Sequence, residues 1–145
     1  MAPAHLRPRL GVLLSGAGRT LQNLLDRIAD GRMRATIAGV AADRPEAFGL
    51  QRAMEHGLET RHIPEPSSLW SWRLELDVDL VVLGGYLRIL PIVPEFEGRV
   101  LNIHPSLLPK YGGKGMHGER VHAAVLQAGE TESGCTAHLC NANYD

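Results

Sequence analysis

The chain has 145 residues, of which 44% are hydrophobic and 21% charged, and its formal net charge is -1 at pH 7. This length fits one domain with a substantial core, and the near-neutral charge argues against a polyanionic partner such as DNA or tRNA. No apolar stretch is long enough to cross a bilayer, so we expect a soluble protein with no nucleic-acid or membrane partner.

Short apolar runs alternate with helical patterns along the whole chain. In chain order the sequence predicts a strand over residues 10–14, a helix over 21–29, a strand over 35–43, a helix over 44–57, strands over 59–64, 79–83 and 99–105, a helix over 119–129 and a strand over 134–140. The helix over 44–57 is placed by Pro45, which suits a first helical position, and by Gly57, which suits a helix end. The proline- and serine-containing residues 64–72 are predicted as a connection.

This order of elements predicts the α/β class. Strands joined through helices favour a mostly parallel, Rossmann-like sheet with helices on both faces. Right-handed crossovers then bring the carboxyl ends of the strands to one edge, where open α/β sheets bind their ligands. Unusual polar residues that follow the strands should therefore meet at this edge.

The two cysteines, Cys135 and Cys140, lie five residues apart in a predicted strand. This spacing is typical of neither a disulfide framework nor a zinc site, and no other residues have the spacing of metal ligands. We therefore expect a protein of the reducing cytoplasm with no bound metal.

The first turn has the sequence SGAGRT, between a strand and a helix. Backbone N–H groups at such a helix start can bind phosphate, and Arg19 and Thr20 add a positive charge and a hydroxyl. The third glycine of the dinucleotide fingerprint and the lysine of the P-loop are both absent. The alternative interpretation is that Gly16 and Gly18 only permit the tight turn.

Asn102 and His104 end the predicted fifth strand and have the same side-chain parity, so both can face one cavity. An amide and an imidazole aimed at one point can stabilise an oxygen that gains negative charge in acyl transfer. No nucleophile motif accompanies them, so the substrate would have to supply the nucleophile. Alternatively, Asn102 caps a turn and His104 is a structural histidine.

Four separated segments carry a family resemblance: SGAGRTLQNLL, GYLRIL, NIHPSLLPKY and ESGCTAHLCNANYD. Together they resemble the folate-dependent glycinamide ribonucleotide formyltransferases over nearly the whole chain. The resemblance implies a single formyltransferase domain over residues 1–145. It also implies transfer of the formyl group from 10-formyltetrahydrofolate to the amine of glycinamide ribonucleotide, in purine biosynthesis.

The resemblance also implies roles for individual residues. The catalytic set would be Asn102, His104 and Asp145, with Asp145 holding a water molecule and favouring a charged imidazole. The ribonucleotide phosphate would contact Gly18, Arg19 and Thr20. The folate would contact Leu87, Arg88, Ile89, Leu90, Asn102, Asn141, Ala142, Asn143, Tyr144 and Asp145. From the residues alone, Leu87, Ile89 and Leu90 could equally be core.

The chain departs from the family pattern in several places, of which two concern whole segments. Residues 64–78 are shorter than the family's connection, which includes a helix and an arginine near the folate tail, and Arg73 does not align with that arginine. The family also continues past Asp145 with a strand and a helix that contact the phosphate. We therefore expect the carboxyl-terminal part of the family domain to be missing.

Three alternatives stay open from the sequence. The first is a formyltransferase of the same fold that acts on methionyl-tRNA or a sugar nucleotide, or a formyltetrahydrofolate hydrolase. The second is a non-catalytic nucleotide- or folate-binding module, and the third is a dinucleotide oxidoreductase, which the missing third glycine disfavours. The oligomeric state is also open, with a homodimer as one of the alternatives.

Overall fold

The computed structural model describes residues 6–141, and every structural statement below concerns this part of the chain. The six strands are β1 (Arg9–Leu14), β2 (Thr36–Ala42), β3 (Thr60–His62), β4 (Leu80–Leu83), β5 (Val100–His104) and β6 (Thr136–Leu139). The four α-helices are α1 (Arg19–Ala29), α2 (Phe48–Glu55), α3 (Leu69–Leu76) and α4 (Glu119–Gln127). Two short 3₁₀ turns lie at Pro66–Ser68 and Pro94–Phe96.

The six strands form one sheet in the order β3-β2-β1-β4-β5-β6. Strands β1 to β5 are parallel, and β6 runs antiparallel to β5. The chain moves outward from β1 to β3 and then crosses to β4 on the other side of β1. Such a reversal of strand order opens a crevice at the carboxyl ends of the two central strands. The predicted α/β class and mostly parallel sheet are confirmed.

The two faces of the sheet carry separate hydrophobic clusters, because successive side chains of a strand point to opposite faces. On one face, Val12 and Leu14 of β1 pack with Leu21 of α1 and Leu50 of α2. The cluster on the other face is built from Leu13 together with Leu69, Trp72, Val81, Phe96 and Val100. Helices therefore cover both faces, as the sequence predicts.

The predicted start of the second helix is wrong. Residues 43–46 form a turn, and α2 begins only at Phe48. The position of this start is fixed by the glycine turn, because Gly49 donates its backbone N–H to the carbonyl of Gly16 at 2.9 Å. A long-range contact of this kind leaves no signal in the local sequence.

Helix α3 begins inside the predicted connection of residues 64–72 and continues four residues beyond it. Its buried side chains are Leu69 and Trp72, which are three residues apart and therefore share one helix face. Trp70, Leu74 and Leu76 add apolar residues around the rest of the helix, so the helical period is blurred. Arg73, on the same helix, places its guanidinium 4.2 Å from the ring centroid of Phe96.

None of the helices within residues 6–141 combines the length and apolar character that a bilayer span requires.

Candidate active site

Two adjoining cavities lie at the carboxyl edge of the sheet. The glycine-side cavity has a volume of about 510 Å³, and the residues lining it include Gly16, Arg19, Thr20, Asn102 and His104. The leucine-side cavity has a volume of about 370 Å³, and its lining includes Leu87, Arg88, Ile89, Leu90, Asn102, His138 and Asn141. Both volumes lie in the usual range of small-molecule sites. Three residues line both cavities: Tyr86, Leu87 and Asn102.

The Asn102 side chain lies at the boundary of the two cavities and is held by the neighbouring strand. The β5–β6 register places His138 directly opposite it, and the Asn102 Nδ2 lies 3.2 Å from the His138 Nε2. Because an amide nitrogen can only donate, this Nε2 accepts and the neutral His138 carries its proton on Nδ1. The amide is thereby oriented at the point where the cavities meet.

His104 is buried, with 3% of its surface exposed, and it lines the glycine-side cavity. Its Nε2 lies 2.7 Å from the backbone oxygen of Tyr111. A carbonyl oxygen only accepts, so Nε2 carries a proton in both the neutral and the charged ring. The neutral ring is therefore the Nε2–H tautomer, in which Nδ1 carries no proton.

The NIHPSLLPKY segment folds back onto the end of β5. Ser106 is fully buried, and its Oγ donates to the carbonyl of Lys110 at 2.6 Å. Thr136 on β6 donates to the carbonyl of Ser106 at 2.7 Å and accepts from the backbone N–H of Leu108 at 3.1 Å. These bonds fix the loop that carries the carbonyl partner of His104.

The glycine turn forms one wall of the glycine-side cavity at the start of α1. Arg19 is exposed and Thr20 half-buried, and both line this cavity. Gly18 is buried instead, with a φ of 75°, and it is absent from the lining. A Cβ on Gly18 would lie 2.6 Å from the Cα of Gly49, so this glycine permits the close approach of α1 and α2.

The loop after β4 forms the wall between the cavities and is tied to the end of β1. Leu87 donates its backbone N–H to the Oγ of Ser15 at 2.9 Å, and the N–H of Ser15 donates to the carbonyl of Gly85 at 3.1 Å. Leu90 is a core residue with 5% exposure, whereas Leu87 and Ile89 are 41% and 47% exposed. The core interpretation thus holds for Leu90 alone.

The other predicted folate residues divide into two groups. Arg88 lines the leucine-side cavity and also donates from Nη1 to the carbonyl of Pro64 at 3.0 Å. Asn141 lines the same cavity. Four predicted site residues lie outside the described part of the chain: Ala142, Asn143, Tyr144 and Asp145.

Several cavity residues were missed by sequence reasoning. Tyr86 lines both cavities, while Met116, His117 and Cys135 line the glycine-side cavity. His117 lies in a loop between Gly115 and Gly118, where no periodic pattern in the sequence indicates which way a side chain faces. Within residues 6–141, no group of histidine, cysteine, aspartate and glutamate side chains could hold a metal ion.

Replacing Tyr86 by phenylalanine should remove a loss of stability at alkaline pH. Burial, together with the negative charge of Asp43, raises the pKa of Tyr86 to about 12, against about 10 in an unfolded chain. Between these values the unfolded state loses the phenol proton first, so stability falls as pH rises. Urea unfolding at about pH 9 and about pH 11 should show a smaller drop for Tyr86→Phe than for the wild type.

The comparison of the two proteins cancels the contribution of lysine and arginine titration, which both share. Among the described residues the Tyr86 hydroxyl is buried and has no hydrogen-bond partner, so the variant should also be no less stable at neutral pH. An equal drop in both proteins would contradict this interpretation.

The family model for formyl transferases matches residues 8–145, which is nearly the whole sequence. The chain belongs to the formyl transferase family. The resemblance that rests on the four sequence segments is therefore confirmed at the level of the formyl transferase family.

Individual relatives of this chain are named more specifically, as phosphoribosylglycinamide formyltransferases. The chain is 34% identical over 151 residues to the chloroplastic phosphoribosylglycinamide formyltransferase of Arabidopsis thaliana, covering 96% of this chain and 52% of the relative. It is 34% identical over 148 residues to the phosphoribosylglycinamide formyltransferase of Haemophilus influenzae, covering 94% of this chain and 68% of the relative. The chain thus spans about half to two thirds of these formyl transferases.

A solved structure agrees with these relatives. Glycinamide ribonucleotide transformylase 1 from Symbiobacterium toebii superposes with a TM-score of 0.84 at 34% sequence identity, covering 100% of this chain and 74% of that chain. The sheet order and the helices on both faces are therefore those of a formyl transferase.

Proposed function

We propose that this chain carries the active site of a phosphoribosylglycinamide formyltransferase in purine biosynthesis. The observation that supports this most directly is the shared wall at Asn102, which lines both cavities. A transferase that moves a group from one small molecule to another needs a separate site for each and a polar group where they meet. The names of the relatives supply the ribonucleotide and the formyl group, and the family resemblance supplies the folate.

The ribonucleotide would occupy the glycine-side cavity. Its phosphate suits the wall formed by Gly16, Arg19 and Thr20, where a guanidinium lies beside the amino end of α1. The helix has no side-chain cap, so its first N–H groups are left to other acceptors. Gly18 would contribute by holding the turn in shape, and the amine of the substrate would point toward Asn102.

The folate of 10-formyltetrahydrofolate would occupy the leucine-side cavity. Leu87 and Ile89 are partly exposed apolar side chains on its wall, which suits one face of a flat ring system. Asn141 offers a polar contact on the same wall. Residues 142–145 follow directly, and the family resemblance assigns them to the same folate site.

When bound, the formylfolate supplies an activated carbonyl carbon: the C–N bond to the ribonucleotide amine forms, the C–N bond to the folate breaks, and one proton passes from the amine to the departing nitrogen. Asn102 would donate an amide N–H to the carbonyl oxygen as that oxygen gains negative charge. His104 would donate to the same oxygen from Nδ1 in its protonated form. The resemblance adds the Asp145 carboxylate to this set.

An acceptor-dependence assay tests this function. Release of tetrahydrofolate should require glycinamide ribonucleotide, and the formylated ribonucleotide should appear in equal amount. The dephosphorylated glycinamide riboside is the matched control, and it should react much more slowly because the phosphate contacts are lost. Release without any acceptor would instead indicate a hydrolase, and activity only with a formyl-accepting tRNA or a sugar nucleotide would indicate another transferase.

The assay should use this chain of 145 residues. The absence of acceptor-dependent release would contradict the proposed function and favour a binding module. We further propose that residues 1–145 form one formyltransferase domain. A cytoplasmic location and a homodimer stay predictions, which fractionation and sedimentation would test.

A further inference from the structure

Tyr111 has a backbone conformation that is unusual for a residue with a side chain. Its φ is 59°, in the left-handed region that favours glycine. In this conformation its carbonyl oxygen accepts the Nε2–H of His104 at 2.7 Å. Residues keep such a conformation only where their surroundings hold them in it.

Two contacts hold Tyr111 from either side. The preceding peptide is fixed because Ser106 Oγ donates to the carbonyl of Lys110 at 2.6 Å. The ring is fixed at its far end, where the Tyr111 hydroxyl donates to Oε1 of Glu130 at 3.0 Å. With the peptide and the ring both held, rotation about the N–Cα bond of Tyr111 is restricted.

Glu130 is well suited to holding the Tyr111 hydroxyl in place. It is partly buried, at 29% side-chain exposure, and it also accepts from the ammonium of Lys110 at 3.0 Å. The hydrogen bonds from Lys110 and Tyr111 lower the pKa of the Glu130 carboxyl, so it stays an acceptor at neutral pH. It lies just beyond the end of α4 and is not among the predicted site residues.

We propose that Glu130 is a positioning residue for formyl transfer: through the Tyr111 hydroxyl it holds the carbonyl that fixes the proton of His104 on Nε2. The inference rests on the proposed function for its kinetic consequence but not for its structural one. With the proton held on Nε2, the neutral ring of His104 is a single tautomer whose Nδ1 carries no proton. Loss of the contact would let the ring rotate and mix its two neutral tautomers.

The test uses Tyr111→Phe and Glu130→Ala, each of which removes the hydrogen bond. Glu130→Gln keeps an acceptor oxygen and should rescue it. Glu132→Ala is the matched control, because Glu132 is an exposed carboxylate two residues away that lines the same small surface hollow as Glu130. Two different substitutions that remove the hydrogen bond are used, so that a folding defect in one variant does not decide the result.

The first readout is the tautomer of His104, measured by long-range ¹H–¹⁵N correlation at about pH 9, where free imidazole is neutral. The Nε2–H tautomer should be found in the wild type, Glu130→Gln and Glu132→Ala. Tyr111→Phe and Glu130→Ala should each show a mixture of the two neutral tautomers. The second readout is kinetic: Tyr111→Phe and Glu130→Ala should lower kcat about tenfold or more with little change in KM, because the imidazole is misplaced.

The proposal would be overturned if the His104 tautomer were unchanged in both Tyr111→Phe and Glu130→Ala. It would also be overturned if Glu132→Ala lost as much kcat as these two variants. The tautomer measurement needs no substrate. It therefore decides the positioning role even if the wild type transfers no formyl group, a result that would count against the proposed function alone.

Discussion

Replacing Asn102 by leucine is expected to lower kcat of formyl transfer about 100- to 1000-fold, the loss typical for one donor to a developing oxyanion. Leucine is close to asparagine in size and keeps the place of the side chain on β5. It removes the amide that lines both cavities. The KM values should change much less, since the walls that hold each substrate remain.

Two further variants separate the possible causes. Asn102→Asp keeps the shape but places a negative charge where negative charge develops, so its kcat should fall at least as far. His138→Phe removes the acceptor of the Asn102 amide at 3.2 Å but leaves the amide in place, so its loss should be about tenfold or less. Steady-state kinetics, with circular dichroism to verify folding, measures all three. A kcat for Asn102→Leu within threefold of the wild type would exclude the role given to this residue.

Replacing Gly18 by alanine is expected to destabilise the protein by about 2 to 5 kcal/mol, the sum of a left-handed backbone penalty and a steric clash in a packed interior. The backbone φ of 75° disfavours any side chain, and the added Cβ would lie 2.6 Å from the Cα of Gly49. The clash is with backbone, so no side chain can move to relieve it. Urea unfolding gives the free energy directly.

The matched control is Gly57→Ala. Gly57 has a similar φ of 67°, but a Cβ there would meet nothing within 4 Å. Its cost should be about 1 to 2 kcal/mol, from the backbone alone. If both alanine variants lose the same free energy, the close approach of α1 and α2 at Gly18 contributes nothing.

The sequence predicts the sheet well because its signals are local. The strands β1, β2 and β4 are short apolar runs bounded by turns, and any α/β sheet must bury them. The parity of Asn102 and His104 is also a local property, and both residues do line the same cavity. Helix α3 is missed, since its apolar residues lie on several faces and its eight residues are too few to establish a period.

The site details that the sequence does not predict depend on contacts between distant residues. The left-handed conformation of Tyr111 follows from Ser106 and Glu130, neither of which is a turn signal for it. Gly18 reads as part of a phosphate turn, but its burial against Gly49 appears only when α1 and α2 are packed together. The start of α2 has the same origin.

The hydrogen bond between Ser15 and Leu87 restricts how far the ligand specificity of this protein can be changed. One short loop, tied to Ser15 by two hydrogen bonds, separates the two cavities. Moving it to admit a bulkier compound on one side would take space from the other. The specificities of the two cavities are therefore coupled. A variant selected for a larger ligand in one cavity should accept only smaller ligands in the other.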